Sequence, residues 1–143
     1  MKTKPSLMLA TCVLLLSACG EGELYVGGAW TRPTPAGGLA AVYFLLGNGT
    51  SQADALLSAS TQAARVTEMH RSMSMGDESD AMMMTPIDRV DLAAGQQVAF
   101  EPGGYHLMLF DLQQDLVEGD HFTLIMHFEQ AGELEIDVAV IDQ

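Results

Sequence analysis

Residues 134–141, LEIDVAVI, carry the pattern that decides the fold class. Leu134, Ile136, Val138 and Val140 alternate with Glu133, Glu135, Asp137 and Ala139. A period of two belongs to a strand, because a helix would spread the same apolar residues around its circumference. One face of this strand is apolar and the other acidic, as in an antiparallel sheet with one buried side. Working back along the chain, residues 122–128 alternate in the same way. Val42-Tyr43-Phe44-Leu45-Leu46 is a compact apolar run that stops at Gly47-Asn48-Gly49, a strong turn signal. Residues 64–69, 87–92 and 97–100 are further strand candidates, and Pro102-Gly103-Gly104 forms a tight turn. Only residues 51–64 leave room for a helical turn. Short strands with turns roughly every ten residues predict an all-β, antiparallel sandwich or barrel. No internal repeat marks a second domain.

The 143 residues are enough for one domain with a real core. The first residues read as a targeting segment instead. Lys2 and Lys4 precede an apolar stretch at 7–16 that is too short to span a bilayer and suits a secretory signal. Leu16-Ser17-Ala18-Cys19 then resembles the lipobox of bacterial lipoproteins, which implies cleavage before Cys19 and lipid on its thiol. The expected organisation is a signal peptide at 1–18, a lipidated tether at 19–23 and a β-sandwich domain at 24–143. Cys12 would leave with the signal and Cys19 would be consumed by lipid, so the mature domain has neither a disulfide nor a thiolate ligand. The expected location is extracytoplasmic: the periplasm, anchored by lipid, with Gly20 after the cysteine pointing to the outer membrane in a Gram-negative cell.

Both lysines lie in the signal. The remaining Arg32, Arg65, Arg71 and Arg89 face 19 acidic residues, a balance of −15 before termini and histidines. That surface excludes nucleic acid and anionic lipid as partners, since phosphates need Lys and Arg. It suits cations or basic protein patches.

GYHLMLF, residues 104–110, is an apolar strand carrying two residues of a different kind. His106 and Met108 stand two apart, so they share one face roughly 6.5–7 Å from each other. Met69, Met73, Met75, Met82, Met83 and Met84 crowd into sixteen residues beside His70, around the charged loop Gly76-Asp77-Glu78-Ser79-Asp80. Methionine is ordinarily a core filler, but beside such a loop there is little to fill. A thioether is a soft neutral ligand that suits Cu(I) and fits Zn²⁺, Mg²⁺ or Ca²⁺ poorly. Histidines and methionines without cysteine therefore point to Cu(I), and the missing thiolate excludes a blue-copper electron-transfer site. No HExxH-type spacing supports catalytic zinc, and no Ser/His/Asp set has motif context. His121 and His127 read as surface residues, and Met126 as core.

Met84-Thr85-Pro86, Glu101-Pro102-Gly103-Gly104-Tyr105-His106-Leu107-Met108 and Leu116-Val117-Glu118-Gly119-Asp120 together resemble the periplasmic copper chaperone family known as PCuAC. The family pattern is a histidine, ten residues, a methionine, twenty-one residues, then His-x-Met. Met84, twenty-one residues and His106-Leu107-Met108 match it, whereas His70 stands thirteen residues before Met84. Met73 occupies the family spacing, so Met69, Met73 or Met75 could replace or supplement His70, and Met82 is a further candidate. Trp30-Thr31-Arg32-Pro33-Thr34-Pro35 and Ala41-Val42-Tyr43-Phe44 resemble the family's opening strands. The resemblance implies a cupredoxin-like Greek-key β-sandwich and a solvent-accessible site of His70, Met84, His106 and Met108.

The expected function is a copper chaperone, not an enzyme, that binds Cu(I) and delivers it toward cytochrome c oxidase assembly. Its partners would be copper donors and acceptors, such as an oxidase subunit or its assembly factors. The alternative is a copper storage or scavenging lipoprotein that binds several ions through its Met-rich hairpin. Neutral imidazoles would make copper affinity fall below about pH 6.

Overall fold

The computed structural model describes residues 22–76 and 82–143. The expected signal peptide, Cys19 and the loop residues 77–80 lie outside the described residues. Ten strands follow in order: β1 (Leu24–Thr31), β2 (Leu39–Asn48), β3 (Asp54–Ser60), β4 (Ala64–Ser74), β5 (Met82–Ile87), β6 (Val90–Leu92), β7 (Gln97–Phe100), β8 (Tyr105–Leu112), β9 (His121–Phe128) and β10 (Gly132–Val140). Among the described residues there is no helix. The stretch 51–64, where a helical turn was conceivable, holds β3 instead. A register shift between Leu56 and Ser58 breaks its alternation and hides the strand from a period-two reading.

The strands hydrogen-bond in the order β5-β4-β8-β7-β2-β1-β10-β9-β3-β6. Pairings are antiparallel except β1 with β10 and a single β7–β8 contact at Phe100 and Tyr105. The ribbon folds over at β1. Its register slips between Gly27 and Trp30, where Gly28 takes a φ of +58° that a side chain would strain. Past this bulge, Thr31 pairs with Val42 on one side and with Val140 on the other, and so joins the two layers.

The layers close on one apolar core. Val42, Phe44 and Leu46 of β2, with Leu107 and Leu109 of β8, meet Leu56 of β3, Leu92 of β6, Leu124 and Met126 of β9, and Val138 and Val140 of β10. Phe44 and Phe100 stack with ring centres 4.3 Å apart. The strand at 132–140 buries Val138 and Val140 and turns Glu133, Glu135 and Asp137 outward, as its alternation predicts. The run expected as one strand at 87–92 is two. β5 ends at Ile87 and β6 begins at Val90, at opposite ends of the strand order.

The loops pair two buried polar side chains, Asn48 and Asp54. The Asn48 amide donates to the Gln52 and Leu92 carbonyls, and its oxygen accepts from the Thr50 amide, which closes the Gly47-Asn48-Gly49 turn. Burial raises the Asp54 pKa, but backbone N–H donors from Gln130, Ala55, Ala131 and Glu129 outweigh it and hold the carboxyl below its usual range. This clip ties the start of β3 to the β9–β10 turn.

Candidate metal centre

Register brings the histidines together. Across β4 and β8, His70 pairs directly with His106 and Glu68 with Met108; across β4 and β5, Ser72 pairs with Met84 and Ser74 with Met82. Direct partners share a sheet face, and so do residues two apart on a strand. Glu68, His70, Met82, Met84, His106 and Met108 therefore lie on one face. The opposite face of the same strands carries Met69, Leu107 and Leu109 into the sandwich core.

The candidate face has a small covering layer of its own. The Tyr43 ring lies 6.4 Å from His106 and 4.8 Å from Trp30, and Phe110 lies 5.9 Å from His70. Beneath these rings His106 is only 2% exposed, and His70 and Met108 are also buried, whereas Met84 is 55% exposed. The expectation of an open, shallow site is thus corrected. Three of the four residues are buried, the two histidines against aromatic neighbours on their own face, and Met84 alone stands open to solvent.

The two imidazoles are oriented by different partners. His70 Nε2 lies 2.9 Å from Glu68 Oε2, and His106 Nδ1 lies 3.1 Å from the Gly104 carbonyl oxygen. Both oxygens are acceptors, so Nε2 of His70 and Nδ1 of His106 carry the protons. In the neutral rings that leaves lone pairs on His70 Nδ1 and His106 Nε2, and these are the two buried side-chain atoms without a partner. Burial pushes the His106 pKa down, against the Gly104 hydrogen bond, with His70 adding to the depression. A buried acceptor without a donor is costly, and two such nitrogens on directly paired residues suit an electron-pair acceptor as ligand. The ring centres are 5.8 Å apart. Two imidazoles on one metal, with bonds of about 2.0 Å, can have centres up to roughly 6.3 Å apart, so a shared ion fits.

Other sequence candidates fall elsewhere. Met69 fills the core. Met73 pairs with Met83 on the side of the hairpin away from Met84, and both are exposed, as is Met75. Met82 shares the face of Met84 and is also exposed. On β9, His121 contacts Asp137 at 2.5 Å, His127 sits between Ser60 and Glu133, and Met126 is core. Among the described residues no three His, Cys, Asp or Glu side chains gather as a metal site. Met84 and Met108 are thioethers that share the face of His70 and His106. The residues that sequence reading passed over are Glu68 and the Gly104 carbonyl, which orient the rings. Glu68 was visible in principle, two before His70 and so on its face.

Comparison with known proteins gives a consistent picture. The LpqE-like lipoprotein family model matches residues 24–140. The copper-bound PCuAC domain from PmoF2 is 25% identical with a TM-score of 0.70, over 86% of this chain and 96% of that one. The apo PCuAC domain from PmoF1 is 25% identical with a TM-score of 0.69, over 86% and 97%. The Cu(I) form of DR1885 from Deinococcus radiodurans, 21% identical with a TM-score of 0.64 over 87% and 83%, shares the fold. The fold is the cupredoxin-like β-sandwich of these domains. An uncharacterised protein of Rickettsia prowazekii, RP573, is 29% identical over 125 residues, 84% of this chain and 67% of its own length.

Proposed function

This chain belongs to the LpqE-like family of PCuAC type, and from that premise we propose that it is an extracytoplasmic copper chaperone whose cargo is Cu(I). The observation that carries the reading is the pair of buried, unpartnered nitrogens, His70 Nδ1 and His106 Nε2. With Met108 beside them and Met84 at the surface, they form a set of two imidazoles and two thioethers. All four are neutral, which suits a soft monovalent ion. Copper-bound PmoF2 supports the choice of metal.

The arrangement divides the work between its residues. His70 and His106, held by Glu68 and Gly104, keep their orientation without metal and so lower the ordering cost of binding. Trp30, Tyr43 and Phe110 limit water. Met84, on the edge strand β5, is the ligand a partner can displace first, so transfer begins there and the buried histidines release last. The chain is read as a carrier. Delivery toward cytochrome c oxidase follows the resemblance to the family, as does anchoring through lipid on Cys19, with 1–18 as signal peptide, 19–23 as tether and 24–143 as the copper-binding domain.

Competition between the apo protein and a Cu(I) chelator tests the assignment. His106→Ala, Met108→Ala and Met84→Ala should each weaken Cu(I) binding at least tenfold. Unchanged affinity in His106→Ala would overturn the site.

A further inference from the structure

The β4–β5 hairpin outruns the sheet. The last β4 residue paired with β8 is Arg71, opposite Tyr105, whereas Ser72–Met84, Met73–Met83 and Ser74–Met82 pair only between β4 and β5. Beyond Ser72, whose amide still donates to the Gly104 carbonyl, the protein is a two-stranded ribbon, a structure that is marginal in water without a packed face. Met82 and Met84 occupy the face of His70. Met73 and Met83 occupy the opposite face, which continues the core side of β4 past the end of β8; they stand directly opposite one another and are 47% and 45% exposed. Met75 follows two residues after Met73 and is also exposed.

Packing does not explain the Met73–Met83 pair. Every methionine that fills the core, such as Met69 and Met126, is at least 96% buried, and neither Met73 nor Met83 belongs to that cluster. Directly opposed strand residues hold their Cβ atoms about 4.5–5.5 Å apart. Two flexible thioether side chains at that spacing can bring both sulfurs to a single soft ion. Arg71, the nearest cation on this face, is turned onto the Tyr105 ring with its guanidinium carbon 5.2 Å from the centroid.

We propose that Met73 and Met83, with Met75, form a second, thioether-only site for a soft monovalent cation on the face of the hairpin away from Met84. It is separate from the histidine site and does not depend on it. Having no imidazole, it stays competent at pH values that protonate histidine. Being exposed and without oriented partners, it is weaker than the histidine site and fills after it. Metal bound there would clamp the ribbon that also carries Met84.

Methyl-labelled methionine NMR on the full chain, titrated with Ag(I) as a redox-inert soft cation, tests this. At pH 5.5 the Met73 and Met83 methyl signals should shift saturably together, and Met73→Leu/Met83→Leu should abolish that step while leaving the Met84 and Met108 shifts at pH 7.5 intact. In His70→Ala/His106→Ala the Met73 and Met83 shifts should persist. Since that variant could lose its fold, total stoichiometry at pH 7.5 supplies a second measure: two ions in the native protein and one in Met73→Leu/Met83→Leu. The proposal is overturned by unshifted Met73 and Met83 signals, or by equal stoichiometry in the two proteins. Failure of the chaperone reading would show separately, as absent Met84 and Met108 shifts at pH 7.5.

Discussion

Replacing His106 with leucine should make the apo protein more stable and the copper protein less so. His106 is 2% exposed, and its Nε2 has no partner. An unsatisfied buried acceptor costs about 1–3 kcal/mol. Leucine, similar in size, removes that cost. It also removes the Nδ1 hydrogen bond to Gly104, a net loss of about 0.5–1.5 kcal/mol. The Gly104 oxygen is not orphaned, because the Ser72 amide donates to it at 3.0 Å. The balance favours the variant by about 1 kcal/mol, a rise in Tm of about 3–5 °C for a domain of this size. With Cu(I) at a hundred times Kd, the native protein gains about 2.7 kcal/mol and the variant far less. Thermal unfolding of both proteins, with and without a buffered Cu(I) supply, measures both effects. A structural histidine would behave in the opposite way. Destabilisation of the apo variant by 1 kcal/mol or more, with the copper-induced shift intact, would refute the ligand assignment.

Apo stability should fall in mild acid. Burial lowers the His106 pKa, so near an ordinary imidazole value of about 6.5 the unfolded chain takes up a proton that the folded chain refuses. Stability is therefore complete above that pH and lost as pH drops through it, and urea midpoints at pH 7.5 and 5.5 should differ less in His106→Leu than in the native protein. Glu68→Ala should weaken Cu(I) binding about tenfold by freeing the His70 ring, with little change in apo Tm; chelator competition giving native affinity would contradict this. Asp54→Ala should cost about 2–4 kcal/mol, because three backbone donors lose their acceptor. The native contribution of Asp54, whose pKa is lowered, should be present above about pH 4 and lost as acid protonates the carboxyl, which paired acid titrations of native and variant stability would reveal.

Strands with one buried face were legible, and those without one were not. β10 alternates because Val138 and Val140 enter the core while Glu135 and Asp137 meet water. β5 begins with Met82, Met83 and Met84, all exposed, so no burial pattern marks it as a strand. β3 is interrupted by its register shift, and its stretch left room for a helical turn instead. For the site, the shared face of His106 and Met108 follows from spacing alone, and β8 does place Leu107 and Leu109 in the core behind them. The pairing of His70 with His106 depends on cross-strand register, which spacing along one strand does not encode. Met73 shows the limit of counting. It stands at the family spacing from Met84, but it lies three residues from His70, so the pleat turns it to the face opposite the histidines. The burial of the site was hidden for a related reason: Trp30 and Tyr43 come from β1 and β2, far away in sequence.

X-ray absorption at the copper edge, on protein loaded with less than one equivalent of Cu(I), tests the central claim most directly. Two nitrogen and two sulfur neighbours in the native protein, with one nitrogen lost in His106→Leu, are the predicted result. A first shell of sulfur alone, or of nitrogen and oxygen without sulfur, would contradict it.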